Sequence, residues 1–408
     1  MIERLEIANF KSIQRLELHP GRVTVLIGEN GAGKSNLLEA IAFGSAALGN
    51  KLDNEFLASR GIRVTDARFM RSAFQLKNSN PISITFVGND ETLHVKVSSD
   101  ESDGPYPNWQ AARRVPDGLI ARVIEEADVD KTDTTQVSDE FAEQFFNAIL
   151  ERSQEPIPPG KQVSLQATKA LLIALFRAMD RSFSRLPSSK SFVIYQPEAS
   201  SLRTFAVEGQ ILPLGVRGEG LFRLLGTFGR EGYAEQWKDL ADSLRLLDWL
   251  KEVHLPDEEQ SVRRSIFMRD RFLDAELGVF DQRSANEAFL FLLFYLALFV
   301  SPDTPEFFAV DHIESSLNPK LCTQLTRRLV LLAKKYGKQV LITTHNPAVL
   351  DGLDLSDDEQ RLFVVRRSRQ GDTRLRRVGP PQPEPGQKPI KLSEAFLRGL
   401  LGGVPQNF

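Results

Sequence analysis

Apolar and polar residues alternate in two parts of the N-terminal region, and the alternation predicts antiparallel strands. In residues 2–18 the apolar positions predict two short strands around a turn at Asn9-Phe-Lys-Ser12. Residues 82–87 and 92–97 alternate more regularly on either side of a Gly88-Asn-Asp turn. We therefore expect the first lobe to contain an antiparallel sheet.

Short runs of consecutive apolar residues predict a second kind of strand, buried on both faces. Val23–Ile27 is such a run, and Phe307–Val310 and Gln339–Thr343 repeat it in the last third of the chain. A helix predicted at 321–336 lies between the last two. This return to strand–helix alternation indicates an α/β fold.

Stripes of apolar residues at helical spacing recur in the middle of the chain, after a polar loop. They occupy residues 141–150, 170–176 and 236–253, with a short strand at Phe192–Tyr195 among them. A further apolar stretch, 288–300, predicts a buried helix, since about 13 residues are too few to cross a membrane.

The composition is that of a globular protein in a reducing compartment. Of 408 residues, 41% are hydrophobic and 26% charged, and the net charge is 51 − 54 = −3, so the chain as a whole is not a polyanion binder. The single cysteine, Cys322, excludes an intramolecular disulfide framework. The N-terminus has no signal-peptide pattern, so we expect a cytoplasmic protein that does not enter a membrane.

The first buried run leads directly into a complete P-loop pattern, Gly28-Glu-Asn-Gly-Ala-Gly33-Lys34-Ser35, and a helix follows. Glycines let backbone N–H groups converge on phosphate oxygens, and the helix N-terminus adds partial positive charge. Lys34 is expected at the β- and γ-phosphates and Ser35 on Mg²⁺. The residues expected to bind ATP are Asn30, Gly31, Ala32, Gly33, Lys34, Ser35 and Asn36.

Polar residues that follow the other two buried runs complete this chemistry. Asp311 comes directly after Phe307–Val310, where a Walker B carboxylate would hold Mg²⁺. His345 ends the strand Leu341-Ile-Thr-Thr, a position that suits a γ-phosphate sensor. The alternative for His345 is an ordinary loop histidine.

Six segments spread over the whole chain resemble the ABC-type ATPases of the RecF/SMC/OLD branch, most closely compact prokaryotic ATPases of the AAA15 and AAA21 groups. The segments are Asn9–Ile13, Gly28–Ser35, Pro213–Leu221, Val310–Pro319, Thr343–Pro347 and Leu392–Pro405. The resemblance implies a two-lobed α/β P-loop ATPase head with a mixed sheet and an inserted helical region. It divides the chain into an N-terminal ATPase lobe (1–99), a mainly helical insertion (100–260), a C-terminal ATPase lobe (261–378) and a Pro-rich linker with a final helix (379–408).

The resemblance also implies a homodimer or higher homo-oligomer in which two heads sandwich two ATP molecules. Each P-loop then faces the partner's signature motif, for which Ser284-Ala-Asn-Glu287 is the best match. Asn286 replaces the family's glycine, and asparagine tolerates a left-handed backbone better than most residues. We expect Ser284 to contact the partner's γ-phosphate; the alternative is a plain helix N-cap.

The position after Asp311 departs from the family, which has a water-orienting Glu there. Here the residue is His312. Either Glu314 takes over the role, or His312 orients water itself, or the protein works mainly as an ATP-bound clamp. Because positioning water contributes about 10²–10⁴-fold, the sequence favours slow hydrolysis with Glu314 involved.

Three further features each have an ordinary alternative. Gln75 is the candidate for the family's Mg²⁺-shell glutamine, or a surface residue. The hairpin Arg361–Arg377 carries seven arginines and one acid, which predicts nucleic-acid contact, protein docking or a charged sheet edge. Asp128-Val-Asp130 matches a metal-binding pair but fits a solvated acidic loop far better than a nuclease site.

Three functions are compatible with these residues. The favoured one is the sensor or switch subunit of a toxin–antitoxin-like antiphage system, similar to PARIS or Septu, with a separately encoded nuclease-type effector. The others are a RecF-like DNA-repair clamp and a module whose ATP site is structural. The compact insertion and the altered catalytic motif favour the first.

Overall fold

The structure is a computed structural model of the 408-residue chain. It describes residues 1–72, 74, 80–89, 91–99, 108–114, 169, 173, 191–204, 210–230, 232–254, 267–274, 279–281, 283–380 and 390–402. The stripes at 141–150 and most of 170–176, Asp128-Val-Asp130 and Gln75 lie outside these residues.

Fourteen strands are found in the described residues. They are β1 Arg4–Phe10, β2 Ile13–Leu18, β3 Val23–Ile27, β4 Ile82–Gly88, β5 Glu91–Ser99, β6 Trp109–Arg114, β7 Ile194–Tyr195, β8 Leu250–His254, β9 Phe267–Asp270, β10 Val279–Asp281, β11 Phe307–Val310, β12 Gln339–Thr343, β13 Gln360–Arg367 and β14 Thr373–Val378. The strand pairs predicted at 2–18 and 82–97 are present.

The same described residues contain nine α-helices and one 3₁₀ helix. They are α1 Lys34–Leu48, α2 Asn54–Ser59, α3 Ala67–Met70, α4 Ala199–Leu202, α5 Leu221–Thr227, α6 Ala234–Leu244, α7 Glu287–Val300, α8 Pro319–Lys335 and α9 Leu392–Leu397, with the 3₁₀ helix at Pro347–Gly352. In the described part of the chain, no helix is long and apolar enough to cross a membrane.

A six-stranded sheet in the order β14-β13-β3-β12-β11-β7 forms the centre of the molecule. β3 pairs in parallel with both β12 and β13, while β14 is the antiparallel edge strand. Every residue of β3, β11 and β12 is buried, as their continuous apolar runs predict. Parallel strands end at the same edge of a sheet, so the segments that follow these three strands meet there.

Each face of the central sheet is covered by a different layer. One face packs on α1 and on the antiparallel sheet β2-β1-β4-β5-β6. The other packs on α7 and α8. Helix α7 is buried from Phe289 to Val300, because it is apolar on all sides. The predicted buried helix at 288–300 is therefore confirmed, and the fold is the mixed α/β fold that the sequence predicts.

Two segments differ from their sequence-based expectations. The amphipathic stripe at 236–253 is not one helix: α6 ends at Leu244, and residues 250–254 form β8, which pairs with β9. Hydrogen bonding to a distant strand outweighs the local helical period there. The strand predicted at Phe192–Tyr195, within the 100–260 region, joins the central sheet beside β11, so this part of the region belongs to the sheet.

Candidate functional site

The P-loop lies between the end of β3 and the start of α1. Gly31 and Gly33 have φ of 74° and 107°, a left-handed backbone that favours glycine. A Cβ on Gly33 would also lie 2.2 Å from Thr373 Oγ1, so only glycine fits. Lys34 is 6% exposed, and its Nζ donates to the carbonyl oxygens of Gly28 at 2.8 Å and Glu29 at 3.0 Å. The ammonium group is thus held inside the loop.

The carboxylate of Asp311 meets the P-loop at the end of β11. Ser35 Oγ donates to Asp311 Oδ2 at 3.1 Å, and Thr343 Oγ1 donates to Asp311 Oδ1. Burial lowers the pKa of Lys34, an effect that the nearby charges of Asp311 and Glu314 oppose. The hydroxyl and carboxylate expected to hold Mg²⁺ are therefore side by side, next to the lysine expected on the phosphates.

Glu314 holds the main chain of His345. Its Oε1 accepts the His345 N–H at 2.9 Å, and its side chain is 18% exposed. Its other oxygen, Oε2, is buried and has no hydrogen-bond partner among the described residues. In this arrangement Oε1 is bonded to the main chain of His345 and Oε2 is buried.

His312 stacks on His345, with ring centroids 5.4 Å apart and an angle of 18° between the rings. The His312 backbone has φ of 57°, and its N–H donates to Thr343 Oγ1 at 3.0 Å. Its side chain is 36% exposed. Burial and then the charge of Lys34 lower the pKa of His345, which keeps that imidazole neutral at pH 7.

A chain of hydroxyl groups, which sequence reasoning missed, fixes the P-loop from outside. Thr373 Oγ1 donates to Ala32 O at 3.0 Å and lies 2.7 Å from Ser12 Oγ, which accepts from Asn36 Nδ2 at 2.7 Å. Ser12 lies in the Asn9-Phe-Lys-Ser segment quoted for the family resemblance. No pattern around Thr373 marks it.

A cleft of about 440 Å³ opens beside the P-loop. Its lining combines cations with two partly exposed aromatic rings, a chemistry that suits a nucleoside and its phosphates. The lining residues are Lys11, Ser12, Asn36, Arg63, Thr65, Phe69, Arg71, Phe74 and Arg367. Arg63 Nη2 donates to Asn36 Oδ1 at 3.3 Å, while its Nε contacts Glu39.

The signature-like segment has a backbone different from the one expected. Asn286 is the N-cap of α7, with φ of −68°, and its side chain accepts from Phe289 N at 2.8 Å. It is therefore not left-handed, because an N-cap requires an extended backbone. Since Asn286 caps the helix, the N-cap alternative for Ser284 is wrong, and Ser284 is an exposed residue before the helix.

Most arginines of the hairpin β13–β14 contact the protein itself. Arg367 Nε donates to Gly31 O of the P-loop at 2.9 Å, and Arg374 pairs with Asp372. Arg361, Arg376 and Arg377 also bind groups of this chain. In the part of the chain that the structure describes, only Arg366 and Arg369 of the seven lack a side-chain hydrogen bond or an ion pair. Within the described residues, Arg374 and Arg377 are the two of the seven that pair with a carboxylate, so their charge is neutralised inside the chain.

Two family models match the chain. One, described as "AAA domain", covers residues 4–222, more than half of the chain. The other, described as "AAA domain, putative AbiEii toxin, Type IV TA system", covers residues 280–351, from the signature-like segment to the 3₁₀ helix after His345.

A curated relative and two solved structures are similar to the chain. The OLD nuclease of Thermus scotoductus is 27% identical over 136 residues, which are 30% of this chain and 25% of that protein. The chain thus matches about a quarter of that relative's length.

The SmcHead bound to the C-winged helix domain of ScpA is 13% identical, with a TM-score of 0.53 over 93% of this chain and 98% of that one. The SMC head domain from Thermotoga maritima is 15% identical, with a TM-score of 0.46 over 92% and 98%. The likeness to the SmcHead shows the fold of an SMC head. Because the first family model matches more than half of the chain, the chain belongs to the AAA domain family, as an ABC-type ATPase of the RecF/SMC/OLD branch.

Proposed function

We propose that the chain binds ATP with Mg²⁺ in its P-loop and uses slow hydrolysis to switch between two states. The observation that carries this proposal is the 3.1 Å hydrogen bond from Ser35 Oγ to Asp311 Oδ2. Oxygen ligands of this kind, together with phosphate oxygens, are what Mg²⁺ prefers. Ser35 and Asp311 would hold the ion, and Gln75 stays a candidate third ligand; when bound, the ion neutralises developing phosphate charge.

The nucleotide is held by residues 30–36. Backbone N–H groups of the loop and the N-terminus of α1 favour phosphate. Lys34 supplies a charge that Gly28 O and Glu29 O already hold in place, so little side-chain ordering is left for binding. The cleft lined by Phe69 and Phe74 would take the nucleoside end.

Glu314 acts through His345 in this proposal. By accepting the His345 N–H it fixes the loop after β12, and the neutral His345 imidazole can then donate an N–H to a phosphate oxygen. His312, stacked on that ring and partly exposed, is the group placed to orient water. One oxygen of Glu314 is bonded to the main chain and the other is buried, so we expect slow turnover.

A second copy of the chain would complete the site. Ser284 is exposed and not used as a helix cap, so its hydroxyl is available to contact a partner's γ-phosphate. An ATP-sandwiched homodimer, or a higher homo-oligomer, follows from this role.

The biological role we propose is that of a sensor or switch subunit in a bacterial antiphage system that controls a separate effector. The match of residues 280–351 to a family described with a toxin of a Type IV toxin–antitoxin system supports a defence role. The partial likeness to an OLD nuclease supports a nuclease-type effector, encoded separately. Slow hydrolysis suits the role, since an ATP-loaded state persists.

The test compares Lys34→Ala with the control Lys334→Ala, which removes an exposed lysine at the end of α8. ATP binding to the purified full chain and protection of phage-challenged cells are measured for both. Lys34→Ala should abolish both properties and Lys334→Ala neither. If Lys34→Ala binds ATP and protects cells like the unmodified protein, the proposed function is wrong.

A further inference from the structure

The side chain of Arg203 joins two segments that lie 82 residues apart in the sequence. Arg203 is the C-cap of α4, and its Nη1 donates to Ala199 O of that helix at 3.0 Å. Its Nη2 donates to Ala285 O at 2.8 Å. Ala285 is 2% exposed and directly follows Ser284. The guanidinium group therefore connects the end of α4 to the signature-like segment.

The bond to Ala285 O does more than stabilise α7. The N-terminus of a helix favours anions over cations, so a guanidinium group there adds little to the stability of the helix itself. Asn286 already caps α7 by accepting from Phe289 N. What Arg203 fixes is the main chain directly before the cap, where Ser284 is exposed and donates its own N–H to Asp281 O at 3.1 Å. The exposed serine thus lies between two anchored positions.

The α4 end of this connection is anchored beside the nucleotide site. Helix α4 follows β7, and Tyr195 O at the end of β7 accepts the Asp311 N–H at 2.8 Å. Two main-chain hydrogen bonds, of 2.8 and 2.9 Å, then hold residues 196–198 beside residues 216–217. Leu202 of α4 is completely buried. Arg203 therefore extends from a fixed segment that begins at the strand next to Asp311.

A second contact holds the signature-like segment from the loop after Asp311. Ser316 Oγ donates to Glu287 Oε2 at 2.9 Å, and Glu287 is the first residue of α7. Ser316 has φ of 57°, a left-handed backbone that is strained for a serine and that is typical of functional sites. The segment is thus braced from two sides, by Arg203 and by Ser316.

We propose that Arg203 is a positioning residue, which holds Ser284 in place to contact the nucleotide bound by a second copy of the chain. It acts through the main chain of Ala285. The inference rests on the proposed function, because it requires the Ser284 segment to face the P-loop of the partner. Its consequence is specific: loss of the Arg203 side chain weakens the nucleotide site of the partner and leaves the P-loop of its own chain intact.

Pairs of chains with a single intact P-loop test this consequence, since Lys34→Ala disables the other P-loop. In the opposed pair, one chain carries Lys34→Ala and the other carries Arg203→Met, so the intact P-loop faces an unmodified Ser284 segment. In the same-chain pair, one chain carries both substitutions, so the intact P-loop faces the segment that lacks its arginine. The two pairs have the same composition and differ only in arrangement.

The measured quantity is the rate at which a labelled, non-hydrolysable ATP analogue dissociates. Differently tagged full-length chains are mixed with the analogue and Mg²⁺, captured through both tags and chased with unlabelled ATP. Dissociation should be about tenfold faster from the same-chain pair than from the opposed pair, because a hydrogen bond from a charged group is lost. Arg203→Lys keeps the charge but cannot bond both carbonyl groups, so it should give the same order of rates even if Arg203→Met does not fold.

Arg217→Met in place of Arg203→Met is the matched control, since it removes an arginine that is 61% exposed and lies 3.6 Å from Glu198. The two pairs should then release the analogue at equal rates. For the Arg203 variants, faster release from the opposed pair would mean that Arg203 acts on its own P-loop, and equal rates would mean that it only supports the fold. Either result overturns the proposal, as does a failure of the chains to pair with the analogue bound. The proposed function fails separately, if Lys34→Ala binds ATP like the unmodified protein.

Discussion

Replacing Glu314 in two different ways tests whether its carboxylate braces His345 or accepts a proton. Glu314→Gln keeps an oxygen that can accept the His345 N–H, whereas Glu314→Ala removes it. A general base needs the charge, so it fails in both variants. A brace needs only the hydrogen-bond acceptor, so it is lost fully in Glu314→Ala and only weakened in Glu314→Gln.

The expected magnitudes follow from the bond at 2.9 Å. A hydrogen bond to a charged group is worth about 1.5–3 kcal/mol, so Glu314→Ala should lower kcat about 10- to 150-fold. Charge-assisted bonds are roughly twice as strong as neutral ones, so Glu314→Gln should lose about 1 kcal/mol, or about fivefold in kcat. Loss of a general base would cost about 10²–10⁴-fold in both.

Single-turnover phosphate release at saturating ATP and Mg²⁺ measures the effect, with His312→Ala assayed alongside. Glu359→Gln is the matched control, since it removes a carboxylate paired with Arg22 beside the start of β3, away from the P-loop end. Equal losses of 10²-fold or more for Glu314→Gln and Glu314→Ala would refute the brace and indicate a base. If only His312→Ala lost hydrolysis, Glu314 would have no part in it.

Three other predictions concern titration and the support of the P-loop. The pKa of His345, measured by NMR, should lie below 6.5 and should rise in Lys34→Met, because the Lys34 charge helps to lower it. The contribution of the neutral His345 side chain to stability is present above pH 6.5 and is lost as the pH falls. Burial lowers the pKa of Lys338 from 10.5 to about 8. As the pH rises through this interval, the free energy of unfolding of the unmodified protein should therefore increase by up to about 3 kcal/mol relative to that of Lys338→Met, as measured by urea unfolding. Thr373→Val should raise the Kd for ATP about fivefold, since the bond to Ala32 O is lost.

The groups that follow buried strands were predictable from the sequence because their placement is a property of parallel sheets. Lys34, Asp311 and His345 each come after an apolar run, and β3, β11 and β12 carry them to one edge. Thr373 was not predictable: it lies 361 residues from Ser12, and only the pairing of β13 with β3 brings its hairpin to the P-loop. No local pattern encodes a contact of that range.

Backbone conformation was also beyond the sequence at two positions. His312 adopts φ of 57°, which few residues other than glycine favour, and its N–H bond to Thr343 Oγ1 holds it there. Asn286 caps α7 instead of turning left-handed. The His312 conformation depends on a partner far along the chain, and the Asn286 conformation depends on where α7 begins.

In the proposed function, ATP binding and ATP hydrolysis depend on different residues of this fold. The P-loop is held by Thr373 and Arg367 of the hairpin, through the carbonyls of Ala32 and Gly31. The histidine pair is held by Glu314 and by the strand β12. Thr343 Oγ1 joins the two supports, since it accepts from the His312 N–H and donates to Asp311, which accepts from Ser35 of the P-loop. The bond from residue 312 comes from its main chain, so a change of its side chain leaves this path in place. A fold arranged in this way can keep ATP bound tightly while its rate of hydrolysis is set independently.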